Sequence, residues 1–426
     1  MEVSILKVEK PPNRLLQLPI VLILVMPLFY YPLANSVLIP ILTSYAPGWA
    51  NSSRTIIALV LAVLVLIPLA INVMTGKYRF GPITLSGVLR CPETWGSLLV
   101  LWFFVITAFQ PEPSSAQNLV AYFVALAILF ATRYDTGLVE KLLVRVTVLF
   151  ALVFSFTGVV GVFNYSAFLF VGSNPRLYAT YCVITMCMIF AVRIPTFVRW
   201  VLLAALYLAI VVSESRAAFV AALVVAVVGF TVTAKRPLLR GLWIFTGGVV
   251  VLAVTLSTPL ISSRMAVNTI TSPGLSVNDS GRAVGWRVVI DSFLQAPLFG
   301  QGAGSGQTVT LRDAPPIDHP HSEYLRILHD GGLVAGILAI VFMALLLWTL
   351  RPRIAGCVRD PLIVGGFLLV VAGLTLGTIE NFLVFPSLMW PAALLVGIGL
   401  KQARRDQDLS KLAQATARAD YPKSNR

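Results

Sequence analysis

The stretch HSEYLRILHDGGLVAGILAIVFMALLLWTL, residues 321–350, joins a polar segment to a run of twenty residues without a charge. The run at 331–350 is long enough to cross a bilayer as a helix, because about 20 apolar residues span the hydrocarbon core. The polar segment predicts a helix that begins after Pro320, and Gly331 and Gly332 either close that helix or hinge it into the apolar one. The stretch therefore predicts a membrane-spanning helix that adjoins a polar surface segment.

The rest of the chain has the composition of a polytopic membrane protein. Its 426 residues are 58% hydrophobic and 12% charged, whereas about 25% of the residues in a typical soluble domain are charged. Runs without Lys, Arg, Asp or Glu predict an all-α protein with about twelve transmembrane helices, and a weak turn signal at Pro111–Ser115 leaves eleven or thirteen open. The predicted spans are 15–33, 55–74, 95–110, 116–131, 146–163, 177–192, 200–213, 217–234, 241–258, 331–350, 361–379 and 383–400.

Basic residues predict the orientation of these spans, because Lys and Arg near a membrane stay on the cytoplasmic side. With the N-terminus inside, 24 of the 32 basic residues lie on the inner side and 8 on the outer side. The net charge of +14 is therefore a consequence of topology, and no nucleic-acid partner is expected. Both termini are predicted to lie inside.

Four regions follow from this topology. Residues 1–258 hold transmembrane helices 1–9, residues 259–330 form one long outer loop, residues 331–400 hold helices 10–12, and residues 401–426 form a cytoplasmic tail. The first apolar run follows a 14-residue basic head and lacks a small-residue cleavage site, which favours a retained anchor over a cleaved signal peptide. None of the four cysteines lies in the outer loop, so neither a disulfide nor a cysteine-based metal site is expected there.

The outer loop predicts two amphipathic helices. The first lies within RAVGWRVVIDSFLQAP, residues 282–297, where Arg282 begins a stripe that apolar residues continue at helical spacing to Phe293. The second is the helix that begins after Pro320. Between them, FGQGAGSGQ, residues 299–307, has glycine at alternate positions, so it is either a flexible connector or a segment whose backbone amides approach an anion.

His321 is the candidate general base of the loop. At the start of a helix the positive end of the dipole favours the neutral imidazole, which can accept a proton, although a histidine at this place can also simply cap the helix. His319 suggests a metal pair with His321, but the proline between them restricts the backbone and spacing fixes no third ligand, so no metal is expected. His329 lies two turns along the same helix, and its replacement is expected to matter little.

Arg216 and Arg176 are two of the few basic residues on the predicted outer side, and each stands at the outer end of a predicted span. Arg216 begins the eighth span and Arg176 the sixth. A helix N-terminus already favours phosphate, and a guanidinium group binds phosphate oxygens bidentately. Both arginines are therefore candidate phosphate-binding residues, and the alternative for Arg216 is an ion pair with Glu214 or with a neighbouring helix.

Four motifs, in this order, resemble the O-antigen ligase and polymerase superfamily of bacterial envelope glycosyltransferases. They are SRAAF at 215–219, GRAVGW at 281–286, PLFGQGAGSG at 297–306 and HSEYLRILHDGGLVAG at 321–336. The family pattern has His, then Asn or Ser, a variable residue, an aromatic residue and Leu, and HSEYL fits it. By this resemblance, Arg216, Arg282 and His321 stand at the positions of the family's essential residues.

The resemblance implies a bundle of transmembrane helices beneath a large periplasmic loop of crossing helices, an architecture classed with the GT-C glycosyltransferases. It implies transfer of a glycan from undecaprenyl diphosphate to an acceptor hydroxyl at the periplasmic face of the bacterial inner membrane. His321 then activates the acceptor, while Arg216 and Arg282, with Arg176 as a further contact, meet the charge of the leaving diphosphate. Direct displacement inverts the anomeric configuration. Because the arginines can replace a divalent cation, neither a metal nor a cofactor is expected.

The acceptor is left open by the motifs. A ligase transfers the glycan to lipid A-core oligosaccharide and so completes lipopolysaccharide, a polymerase transfers it to a second lipid-linked glycan, and a third branch modifies proteins. One dominant outer loop without an added domain favours the ligase. A transporter of polyprenyl-linked glycans is the alternative outside the enzymes, and the lack of an intramembrane chain of acids and bases argues against it.

Overall fold

The protein is all-helical over the residues that its computed structural model describes, which are 14–33, 59–64, 66–67, 89–112, 115–131, 136–164, 167–168, 171, 174–233, 246–247, 282–315, 317, 319–352 and 360–419. Within these ranges no strand occurs, as the sequence predicts. The main helices are α1 Arg14–Leu33, α2 Pro92–Phe109, α3 Ser115–Ala131, α4 Thr136–Phe163, α5 Pro175–Ala191, α6 Thr196–Val212, α7 Arg216–Thr233, α8 Arg282–Phe293, α9 Ser305–Asp313, α10 Glu323–Leu350, α11 Pro361–Leu376 and α12 Pro386–Ala419.

Ten of the twelve predicted spans coincide with helices. The other two, 55–74 and 241–258, lie mostly outside the described residues. Among the described helices, α2, the Glu140–Phe163 part of α4, α7 and α10 are long and apolar enough to cross a membrane, and five further apolar segments are shorter. The structure therefore agrees with a multi-pass membrane protein, and the total of twelve spans stays a prediction.

Helix α5 is the buried centre of the bundle. Every side chain from Leu177 to Ala191 is buried, and α4, α6, α7 and α11 pack around it. A helix that is buried on all sides needs no polar face, which explains why its sequence carries no charge after Arg176.

Close helix contacts fix the directions of the central helices. Gly229, near the end of α7, faces the ring of Phe190, near the end of α5, so these two helices run parallel. Gly365, near the start of α11, faces Ala191 at the end of α5, so α11 runs in the opposite direction. The starts of α5 and α7 and the end of α11 therefore lie at one end of the bundle, which we call the polar end.

The Gly331–Gly332 pair hinges α10 and does not close it. Gly332 has a φ of +70° and ψ of −171°, which interrupts the helix, and the carbonyl of Leu298 lies 2.2 Å from where a Cβ on this glycine would stand. The indole of Trp102 on α2 donates to the carbonyl of Gly331 at 2.7 Å. Only glycine satisfies both the backbone angle and the close approach, so the hinge interpretation is confirmed.

The outer loop differs in detail from its prediction. Helix α8 forms where expected, but its buried face is Gly285, Val289 and Ser292, while Ile290 of the predicted stripe is 41% exposed. Small side chains face α9 and α10 because these helices approach closely. Helix α9 was not predicted, since its sequence, SGQTVTLRD, has no apolar periodicity.

The predicted cytoplasmic tail continues α12 without a break to Ala419. Arg404 on this extension pairs with Glu93 in the first turn of α2, which joins the tail to the bundle. Residues 401–419 of the predicted tail are therefore helical.

Candidate active site

The glycine-rich stretch wraps around a carboxylate of the chain itself. The backbone N–H groups of Gly304 and Gly306 each donate to Asp330 at 2.8 Å, and the Ser305 hydroxyl donates to it at 3.1 Å. Alternate glycines permit this because the backbone can approach the anion without a Cβ in the way. The amides do bind an anion, but that anion is Asp330. The flexible-connector alternative is wrong for this stretch, because Ser305 already begins α9.

His329 is buried in the same network. Its Nε2 lies 3.0 Å from the Ser292 hydroxyl, and its Nδ1 lies 3.1 Å from the Ser305 hydroxyl and 3.2 Å from Asp330. These contacts tie α8, α9 and α10 together. The His329 side chain has no exposed surface, and both of its ring nitrogens contact polar groups, which indicates a structural role. Its replacement is therefore expected to destabilise this network, unlike the small effect expected from the sequence.

Asp330→Asn should destabilise the folded protein. The amide nitrogen of Asn cannot accept a hydrogen bond, so one of the buried N–H groups of Gly304 and Gly306 loses its acceptor, which costs about 1–3 kcal/mol. Thermal unfolding of the detergent-solubilised protein measures the effect. Asp291→Asn, at an exposed position on α8, is the control and should melt like the unaltered protein. Equal melting of the two variants would show that the carboxylate does not hold the loop.

His321 lies just before α10 and not in its first turn. Ser322 is the N-cap, its side chain accepts from the N–H of Leu325, and the helix begins at Glu323. The predicted start directly after Pro320 is therefore wrong by two residues. His321 itself has a φ of +50°, which is unusual for a residue with a Cβ.

Helix α8 fixes the segment that carries His321. The indole of Trp286 donates to the carbonyl of Pro320 at 2.8 Å. This hydrogen bond spans 34 residues of sequence and holds the residue directly before His321 against α8. The position of His321 thus depends on tertiary contacts as well as on the helix that follows it.

Three predicted site residues meet at one carboxylate, that of Glu380 between α11 and α12. Arg282 Nη2 lies 3.0 Å from Glu380 Oε1, and His321 Nδ1 lies 3.9 Å from Glu380 Oε2. Arg176 acts on the same carboxylate electrostatically. We call Arg176, Arg282, His321 and Glu380 the Glu380 cluster. The fold thus brings together residues from α5, α8 and the segment before α10.

Three side chains of the Glu380 cluster are largely shielded from solvent, whereas Arg176 is exposed. The side chains of Arg282, His321 and Glu380 are only 14–19% exposed, so their charges interact more strongly than at an open surface. Burial raises the pKa of Glu380, while the positive charges of Arg282 and Arg176 act in the opposite direction. An anion that enters this site meets positive charge in a poorly solvated place.

Arg216 lies at the same end of the bundle. It is the first residue of α7, which starts at the polar end beside α5, and its side chain is exposed. Glu214, two residues earlier, has a φ of +61°. In the described part of the chain, Glu214 and His321 are the non-glycine residues with positive φ. Such backbone strain clusters at functional sites, because it persists only where the surrounding structure enforces it.

A buried ion pair holds the segment that carries Glu380. Arg326 Nε donates to Glu323 at 2.8 Å within the first turns of α10. The other oxygen of Glu323 accepts from the N–H of Leu383, and the Glu323 N–H donates to the carbonyl of Gly377 at 2.8 Å. The start of α10, which follows His321 directly, therefore fixes the chain on both sides of Glu380.

Sequence reasoning missed Glu380, although one signal was present. It is the only acid in TIEN, residues 378–381, and it lies directly after the predicted span 361–379 and before the last one. An acid beside an apolar span is costly unless it is paired, so its presence there predicts a partner. Sequence cannot name that partner, because 98 residues separate Glu380 from Arg282.

His319 packs its ring against Phe385, with ring centroids 6.4 Å apart. Within the described ranges, no group of three or more His, Cys, Asp or Glu side chains is arranged to hold a metal ion. The contact with Phe385 gives His319 a packing role beside the site.

An apolar cavity of about 330 Å³ lies between α2, α3, α10, α11 and α12. Most of its lining side chains are aliphatic or aromatic, and Glu323 and Gly377 at the polar end border it. A cavity of this composition suits a hydrocarbon chain. It thus offers apolar space next to the segment that holds Glu380.

The comparison with protein families matches the part of the chain that carries much of this site. Residues 200–340 match the family model described as O-antigen ligase. The matched range contains Arg216, Arg282 and His321, whereas Arg176 and Glu380 lie outside it. No curated protein matches the chain.

Proposed function

We propose that the chain, whose residues 200–340 match the family model described as O-antigen ligase, transfers a polysaccharide from undecaprenyl diphosphate to a hydroxyl of lipid A-core oligosaccharide. The product is lipopolysaccharide. In this proposal the protein is a multi-pass protein of the bacterial inner membrane, and the Glu380 cluster faces the periplasm. The predicted excess of basic residues on the opposite side supports that orientation.

One observation carries the proposal: Arg282 and His321 lie within 4 Å of the largely shielded Glu380 carboxylate at the polar end, and Arg176 acts on it electrostatically. Cationic side chains that already surround an internal anion are suited to a second one, such as a diphosphate. Guanidinium groups bind phosphate oxygens in a planar, bidentate geometry. A potential base beside such an anion site is what glycosyl transfer from a lipid diphosphate requires.

The chemistry assigned to these residues is a direct displacement. His321 takes the proton of the acceptor hydroxyl as that oxygen attacks the anomeric carbon. The bond from the anomeric carbon to the phosphate oxygen breaks, and its electron pair leaves with the lipid diphosphate. Arg282, Arg176 and Arg216 stabilise the charge that develops on this leaving group. Attack from the face opposite the diphosphate inverts the configuration.

The reaction is proposed to need no metal ion, because the arginines supply the positive charge that a divalent cation supplies in other diphosphate sites. The apolar cavity beside Glu323 supports the substrate class, since both proposed substrates are amphiphiles with long hydrocarbon chains. Their polar parts would meet at the Glu380 cluster while their chains stay in the membrane.

A deletion strain separates a ligase from a polymerase. A polymerase must hold two polyprenyl diphosphates, whereas the arginines assigned to the site among the described residues, Arg176, Arg216 and Arg282, are about enough for one. We therefore expect deletion to leave polymerised glycan on the lipid carrier and lipopolysaccharide that carries core only, as read on a gel. Core that bears a single repeat unit would instead identify a polymerase. Normal lipopolysaccharide would contradict both.

A further inference from the structure

We infer that Glu380 is a positioning residue of the transfer reaction, which orients Arg282 and His321 through its two carboxylate oxygens and stabilises His321 once it is protonated. The inference rests on the proposed function and adds a residue outside the range that matches the family. Glu380 does not touch the reacting atoms in this scheme; it acts through its two neighbours.

The two oxygens of Glu380 face different partners. Oε1 accepts a hydrogen bond from Arg282 at 3.0 Å, which fixes the plane of the guanidinium group. Oε2 lies 3.9 Å from His321 Nδ1, which is about 1 Å longer than a hydrogen bond, so this interaction is electrostatic at rest. Because Nδ1 is the ring nitrogen near the carboxylate, this scheme assigns Nε2 to the acceptor hydroxyl.

Proton transfer strengthens the interaction between His321 and Glu380 Oε2. When Nε2 takes the acceptor proton, His321 becomes an imidazolium beside a carboxylate in a site that is less than one fifth exposed. Opposite charges attract more strongly there than in water, and the Nδ1–H can then donate to Oε2. After displacement the proton passes from His321 to solvent or to the released lipid diphosphate, which restores the neutral base.

Binding of the lipid diphosphate donor affects the interaction between Glu380 and the arginines. Arg282 on α8 pairs with Glu380, and Arg176 on α5 attracts the same carboxylate electrostatically, so a diphosphate competes with this carboxylate for the same cations. The carboxylate also repels the incoming negative charge. Glu380 therefore weakens donor binding somewhat while it supports the chemical step, and these two effects can be measured separately.

Glu380→Gln tests the inference, because the amide keeps the size and an acceptor oxygen but removes the charge. We expect kcat to fall about 10- to 100-fold as support for the base is lost. The KM for the lipid diphosphate donor should fall about threefold, because a competing charge is gone. The acidic limb of the pH–rate profile should move to lower pH, since protonation of His321 becomes less favourable without the neighbouring carboxylate.

Two further variants complete the design. Glu112→Gln is the matched control, since Glu112 also accepts a hydrogen bond, from Thr308 at 2.9 Å, but lies outside the Glu380 cluster; it should keep the unaltered kinetics and pH profile. Glu380→Asp keeps the charge, so its acidic limb should stay in place even if the shorter side chain lowers kcat. If Glu380→Gln does not fold, Glu380→Ala, which also removes the charge, carries the same predictions for kcat, KM and the acidic limb.

Each other outcome overturns the inference. A Glu380→Gln protein with unaltered kcat and pH profile shows that the carboxylate is dispensable, and a lower kcat with an unmoved profile shows a structural role alone. An acidic limb that moves to lower pH in Glu380→Asp also contradicts the charge effect. If the unaltered protein transfers glycan and His321→Ala does not, the proposed function stands whatever Glu380 does.

Discussion

His321→Ala should lower the rate of glycan transfer about 100-fold or more while the protein still folds and inserts into the membrane. Alanine cannot take the proton of the acceptor hydroxyl, so attack on the anomeric carbon slows. Folding should survive because Trp286 holds the backbone of the preceding Pro320, and because Ser322 caps α10 without help from the histidine ring. The measurement is the initial rate with purified protein in detergent.

His319→Ala is the matched control for this variant. It removes a second imidazole from the same HPH segment, but one whose ring packs on Phe385. We expect it to keep most of the activity. Equal rates for His321→Ala and the unaltered protein would remove His321 from the mechanism, and equal losses in the two histidine variants would point to damage of the segment.

Arg282→Ala should lower transfer about 100- to 1,000-fold, because a donor aimed at the leaving diphosphate is lost and the Glu380 carboxylate is left without its hydrogen bond. Arg282→Lys should recover only part of the rate, since an ammonium group cannot bind phosphate and carboxylate in one planar arrangement. Initial rates at saturating donor separate this effect from weaker binding.

Arg287→Ala provides the control for Arg282, because it removes an exposed arginine from the same helix. It should leave the rate unchanged. Full activity in Arg282→Lys would contradict a bidentate role. Loss of turnover in a chelator, restored by magnesium or manganese, would show that the arginines do not replace a metal ion.

The positions of most helices could be predicted because charged residues punctuate the apolar runs. Ten of twelve expected spans fall on helices, and the Gly331–Gly332 pair was predicted to be either a helix end or a hinge, of which the structure has the hinge. The buried face of α8 was not predicted correctly. That face is set by close packing against α9 and α10 and not by the hydrophobicity of the side chains of α8.

Some residues of the candidate site could be predicted from the sequence and others could not. Motifs pointed to Arg282 and His321, and the ends of predicted spans pointed to Arg176 and Arg216. Glu380 could not be found in this way, because its meaning lies in contacts to residues far away in sequence.

The role of Asp330 could not be predicted from the sequence either. At positions 304 and 306 its partners are backbone N–H groups, which every residue except proline carries. The residue types at these positions therefore do not reveal the hydrogen bonds to Asp330. The alternating glycines left an anion-binding segment open as one of two alternatives, and they could not identify the anion.

The most direct test of the central proposal is product formation by the purified protein. It is incubated with undecaprenyl diphosphate-linked polysaccharide and lipid A-core in detergent with a chelator, and the glycolipids are separated by gel electrophoresis and mass spectrometry. We expect polysaccharide joined to core and free undecaprenyl diphosphate, with neither formed by His321→Ala. Longer lipid-linked glycan without a core product, or no new glycosidic bond, would contradict the proposed ligase.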